Sequence, residues 1–171
     1  MLRLSASLIG QPVMSLRTGQ PIAVITSAII NPDNLKIEGF YCADKFSRAQ
    51  LVLLYQDIRD VIPQGVVVND HDVLAEPHEL VRLKTVMEIH FELLGKQVVT
   101  LSKHKLGKVT DYSTEIETMY VQKLYVSQGI LKGLTKGNLS VDRNQINEIT
   151  DSKIVVNDPL DSATVPSGAM A

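Results

Sequence analysis

Apolar positions along this chain fall into short runs, several alternating with polar residues, and each ends at Gly, Pro, Asn, Asp or Ser. Pro12 to Leu16 is followed by the turn residues Thr18 and Gly19. Then comes Ile22 to Ile30, rich in β-branched residues and stopped by Asn31, Pro32, Asp33 and Asn34. The pattern predicts a hairpin followed by a second turn. Leu35 to Tyr41 alternates in part, and Leu51 to Tyr55 is a short apolar run between polar residues. Ile58, Val61 and Ile62 lead through Pro63, Gln64 and Gly65 into Val66 to Val68, a turn and a closing strand. Counted this way, the first stretch contains about six short strands.

The scheme then recurs. Val67, Val68, Asn69 and Asp70 reappear as Val155, Val156, Asn157 and Asp158. Leu8, Ile9, Gly10 and Val13 answer to Leu93, Leu94, Gly95 and Val98, and Val24 answers to Val109. Ile37, Phe40 and Tyr41 answer to Val121, Leu124 and Tyr125. Ile58, Asp60 and Val61 answer to Ile146, Glu148 and Ile149. Blocks in the same order, with like-for-like apolar positions, point to two homologous units whose turns differ slightly in length. In the second unit the pattern predicts strands at Gln97 to Leu101, Lys108 to Thr114, Met119 to Val126, Asn138 to Val141 and Ile154 to Val156.

These readings divide the chain into a first unit at 5–76, a connector at 77–91, a second unit at 92–158 and a tail at 159–171. The connector carries both a helical spacing (Leu80, Leu83, Met87) and a period-two pattern (Val81, Leu83, Met87, Ile89, Phe91), which predicts a short helix after Pro77 passing into an extended segment. The tail has small residues and no aromatics and is expected to be disordered. The fold class is all-β. Many short strands on short turns favour small closed or partly closed barrels, because closure removes exposed sheet edges.

The opening runs Leu-Ile-Gly-Gln-Pro-Val (8–13) and Leu-Leu-Gly-Lys-Gln-Val (93–98), together with Leu106 to Val109 and the endings 57–69 and 145–157, are specific enough to compare with a family. Each unit resembles a PRC-barrel, the domain shared by the photosynthetic reaction-centre H subunit and the C-terminal half of the bacterial ribosome maturation factor. The resemblance implies two tandem barrels. It covers apolar and glycine positions and so speaks to fold more than to activity. The first unit departs from it, with Ile22, Ala23 and Val24 where the second has Gly107, Lys108 and Val109.

Charge changes the picture little. The 171 residues carry a formal net charge of −2, so no global basic field recruits nucleic acid or anionic membrane. The one cysteine, Cys42, excludes an intrachain disulfide and fits a reducing compartment. With no signal-peptide pattern or membrane-spanning run, the expectation is a soluble cytoplasmic protein without membrane insertion.

Candidate chemistry is sparse. His71, His78, His90 and His104 form no metal-ligand pair at helical spacing, and read as surface or boundary residues. Cys42 has no basic neighbour to activate it and reads as a buried small hydrophobe. The pairs Asp57/Asp60, Asp70/Asp72 and Glu115/Glu117 read as solvated carboxylates on strands and turns. Gly10 and Gly95 read as structural, at places where a side chain would obstruct closure. No catalytic, cofactor or metal residues are assigned.

The residual signal is a local basic strip: residues 82–108 hold six Lys or Arg against two Asp or Glu. Lys103, Lys105 and Lys108, with Arg143 and Arg59 near the closing segments, are the contact candidates. No aromatics are interleaved with the strip to stack bases. The chain is therefore expected to be a non-enzymatic adaptor or scaffold that binds a protein partner. The alternative is an RNA-associated or ribosome-maturation factor using the strip at 96–108.

Overall fold

The computed structural model describes residues 1–128, 130–131, 134–135 and 138–158. The tail from 159 on, expected to be disordered, lies outside them. The described residues are mainly β-strand, as the run lengths predict. They are β1 (Leu2–Leu4), β2 (Pro12–Ser15), β3 (Pro21–Asn31), β4 (Lys36–Asp44), β5 (Gln50–Leu54), β6 (Ile58–Ile62), β7 (Gly65–Val68), β8 (Gln97–Thr100), β9 (Lys105–Glu115), β10 (Tyr120–Ser127), β11 (Ile130–Leu131), β12 (Leu134–Thr135), β13 (Asn138–Asp142), β14 (Ile146–Ile149) and β15 (Lys153–Val156). The chain divides into two compact units, 1–91 with 113–121, and 92–112 with 122–171. The tip of the β9–β10 hairpin thus belongs to the first unit, although the repeat pattern places it in the second.

In the first unit the strands pair in the order β6-β7-β2-β3-β4-β5. Only the β2–β7 contact is parallel, with Val13 opposite Val66 and Ser15 opposite Val68. The strands bury Val13, Ile25, Ile37, Phe40, Val52, Leu53, Val66 and Val68, removing their apolar surface from water; β2 alternates, whereas β5 and β7 are buried in continuous runs. The sheet path is open, and no described pairing joins β5 to β6. The expected closed barrel is therefore not what the hydrogen bonds describe. The outer edge of β5 is instead covered in part by Ala75, which exchanges two backbone hydrogen bonds with Val52, of 2.8 and 3.0 Å.

The second unit follows the order β14-β15-β8-β9-β10 with β13 on β10. Its parallel contact sets Val98 opposite Ile154 and Thr100 opposite Val156. Val98, Leu124, Val126, Ile154 and Val156 form its core. A strand the pattern left out, β14, pairs with β15 through a bulge between Ile146 and Glu148. The first unit has a bulge between Ile58 and Asp60. Gly10 N–H donates to the Ile25 carbonyl and Gly95 N–H to the Val109 carbonyl, both at 2.7 Å. Val109 therefore stands where Ile25 stands, not Val24. Thr26 Oγ1 donates to the Tyr41 carbonyl (3.1 Å) and Thr110 Oγ1 to that of Tyr125 (3.2 Å).

The glycine expectation is corrected. A Cβ on Gly10 or Gly95 would meet nothing within 4 Å; what selects glycine is φ of +87° and +83°.

Within the first unit the two hairpin tips meet. Leu35 (φ 55°) and Met119 (φ 62°) close matching turns, their amides donating to the carbonyls of Asn31 and Glu115. Ile37 N–H donates to the Met119 carbonyl at 2.7 Å, and Val121 N–H donates to the Leu35 carbonyl at 2.9 Å. Strand β1 completes the arrangement, running antiparallel to β9 with Arg3 opposite Thr114. The N-terminal ammonium pairs with Glu115.

The connector is corrected too. Pro77–Glu79 and Val81–Leu83 are 3₁₀ turns, and the α-helix, α1 (Lys84–Ile89), starts later than expected. His90, left-handed at φ 50°, ends it. Among the described residues, no helix is long and apolar enough to cross a membrane.

Candidate interaction site

The repeated Asn-Asp is consumed internally. Asn69 Oδ1 accepts from Arg59 Nε at 2.9 Å, which accounts for Arg59. Asp70 accepts from Ser15 Oγ at 3.0 Å and from Arg17 Nε. Hydrogen bonds, the backbone amide of His71 foremost and then Arg17, hold its carboxyl below the usual range. Asp158 likewise accepts from Ser102 Oγ. The Asp70 bonds tie the end of β7 to the end of β2 and the turn after it, and the Asp158 bond ties the end of β15 to the turn after β8.

The predicted strip lies on the second unit. Lys103 (φ 69°) and Lys105 flank His104 at the β8–β9 turn, Lys108 lies two residues past Leu106 on β9, and all are exposed. Arg143 opens the 3₁₀ turn Arg143–Gln145 between β13 and β14 and is half-buried. Three of the four therefore share one hairpin, and Arg143 belongs to another connection.

Two further members of the carboxylate pairs serve local structure: Asp60 accepts from the Val61 amide and Glu115 pairs with the N-terminus. Glu76, His78 and Glu79 offer ligand atoms within 4.8 Å of one another, all exposed. Their proximity follows from the capping box that Glu76 and Glu79 close around the turn Pro77–Glu79. Cys42 is fully buried, and burial pushes its thiol up to about 12.

Two further surface features went unread in the sequence. A groove of about 630 Å³ in the first unit lies between Glu38, Leu54, Tyr55 and the 3₁₀ turns at 79–83. Beside it, on β4, the Lys36 ammonium is 4.0 Å from the centre of the Tyr55 ring and 5.5 Å from that of Tyr120. Its hydrogen bond to the Tyr55 side chain raises its pKa.

The other feature is the turn joining β4 to β5, where Asp44 organises five residues. Its Oδ2 accepts from Ser47 N–H (2.9 Å) and Ser47 Oγ (2.6 Å), and its carbonyl accepts from Arg48 N–H (2.9 Å). Its Oδ1 lies 2.7 Å from Nε2 of His71, which opens the 3₁₀ turn after β7. Burial pushes the Asp44 carboxyl up, but the bonds from Ser47 and His71 outweigh it and lower it to about 2. Ionised, Asp44 only accepts, so His71 donates from Nε2. This framework displays Phe46, 70% exposed, with its ring centre 5.4 Å from that of His71 in an edge-on arrangement. Lys45 and Arg48 flank it, both exposed.

No protein-family model matches this chain, and no curated protein matches it.

Proposed function

We propose that this chain is a non-enzymatic adaptor of the cytoplasm, built from two PRC-barrel-type units that arose by duplication, and that it binds a protein partner through the Phe46 turn of the first unit. The common strand order, the paired Gly10/Gly95 bonds and the paired Thr26/Thr110 bonds support duplication. The Asn-Asp side chains, spent on Arg59, Ser15 and Arg17, support a structural role for the repeated motif. The observation that carries the binding role is the fixed, solvent-facing Phe46 ring with cations on both sides, since aromatic and arginine side chains supply most interface anchors.

Affinity capture from lysate, with and without nuclease, tests this reading. A protein retained after nuclease and lost with Phe46→Ala is the expected result. Capture of nucleic acid alone, or capture indifferent to Phe46, would overturn it. The exposed cluster of Lys103, Lys105 and Lys108 supports the second reading, an RNA-associated or ribosome-maturation factor. Under that reading, reversing these lysines to Glu abolishes nuclease-sensitive capture.

A further inference from the structure

We infer that the Phe46 turn recognises an acidic segment of its partner, one carrying an apolar side chain between carboxylates; this rests on the adaptor reading above. The charge at the turn is one-sided toward solvent. Lys45 and Arg48 are exposed, and no described ion pair occupies either. Asp44, the acid within the turn, is 4% exposed and saturated by Ser47 and His71. The neighbouring Asp70 is held by Ser15 and Arg17. Asp72, exposed beside His71, is the remaining carboxylate nearby.

The turn is built to hold this display. Arg48 sits at φ 60°, a conformation disfavoured for a side chain of its size, and the Asp44 bonds keep it there. With the turn backbone held and the Phe46 ring set against His71 before contact, less conformational entropy is lost on binding than from a free loop.

The display is also particular to the first unit. At the offset that matches Tyr41 to Tyr125, Asp44 answers to Gln128, Phe46 to Ile130 and Ser47 to Leu131. At the offset of the closing tetrapeptide, His71 answers to Pro159. The second copy has neither the carboxylate nor the histidine that builds the turn, although it keeps the same strand order. A single exposed ring with two unpaired cations is short of the successive stacking platforms and continuous basic groove that single-stranded nucleic acid uses. It suits a short acidic peptide with one apolar residue to set against Phe46.

The test titrates the full chain, at low and high salt, with three fluorescent probes. They are a synthetic peptide alternating Glu with Leu, the same peptide with Lys for Glu, and an oligouridylate. The Glu-Leu peptide is expected to bind, more weakly at high salt, and to shift the amide resonances of Lys45 to Arg48 and His71. Phe46→Ala, and Lys45→Gln with Arg48→Asn, are each expected to weaken it about tenfold or more. Asparagine tolerates the left-handed backbone at position 48, so that variant keeps the turn. Equal binding of the Lys-Leu peptide, preference for the oligouridylate, no binding at low salt, or insensitivity to both variants would each overturn the inference. If the acidic peptide fails while Phe46-dependent protein capture persists, the adaptor reading stands and the acidic preference falls.

Discussion

The Asp44 carboxylate and the His71 imidazole, 27 residues apart in sequence, meet at 2.7 Å and fasten the β4–β5 turn to the segment after β7. Because Asp44 is buried and accepts from three side-chain or backbone donors, its loss leaves those donors short of partners. Asp44→Asn is expected to destabilise the protein by about 1 to 3 kcal/mol, read from urea unfolding midpoints.

The same pair sets an acid limit. The folded carboxyl is lowered to about 2, while the unfolded one titrates near about 3.9. A depressed folded value means the stabilisation is complete above the unfolded pKa and drains away as pH falls through the folded one. Wild-type stability should decline between about pH 4 and about pH 2, with a shallower decline in Asp44→Asn. Parallel slopes for the two proteins would refute the assignment.

Cys42 should be inert in the native state. Buried at 0% exposure, with its thiol pushed up to about 12, it presents almost no thiolate to a reagent. Alkylation by iodoacetamide is expected to be negligible natively and rapid in denaturant. Fast native labelling would mean that β4 opens locally.

Two glycines should respond very differently to alanine. At Gly107, with φ +135°, a Cβ would lie 1.9 Å from the Ser127 carbonyl oxygen, so backbone must move. The expected cost is about 3 kcal/mol or more. At Gly10 space is open and the strain of positive φ alone remains, about 1 kcal/mol. Thermal unfolding of both variants side by side separates a steric from a conformational requirement.

Lys36→Met should cost little, about 0.5 to 1 kcal/mol, because Lys36 is only half-buried and a single cation over one ring is a modest attraction there. A much larger loss in thermal unfolding would mean that the Lys36 and Tyr55 contact anchors the neighbouring hairpin tip.

Much of the strand content was readable because burial leaves its mark locally: Val13 on β2 and Ile37 and Cys42 on β4 are buried beside half-buried neighbours, and Val66 to Val68 is a continuous buried run. β14 was missed because Ile146 to Ile149 has two polar residues in four and gains its partner only through β15. The helix in the connector was placed early because Pro77 begins a 3₁₀ turn, and the leucine spacing does not tell that from an α-helix. The Phe46 turn was unreadable for another reason. Lys-Phe-Ser-Arg has no periodicity, and what makes it a rigid display is a histidine brought from the far side of β7. Closure of the sheet is a property of distant edges, which short-range pattern does not encode.

The meeting of the hairpin tips sets an order for synthesis. β1, made well before the residues it pairs with, takes its place against residues 113–115, and Leu35 waits for the amide of Val121. A nascent chain halted before those residues holds β2 to β7 with the N-terminal strand and the first hairpin tip still without their partners. The first unit is therefore finished only once residues 113–121 have been made, after the 92–112 segment of the second unit, so its last folding step waits on chain from beyond its own first block.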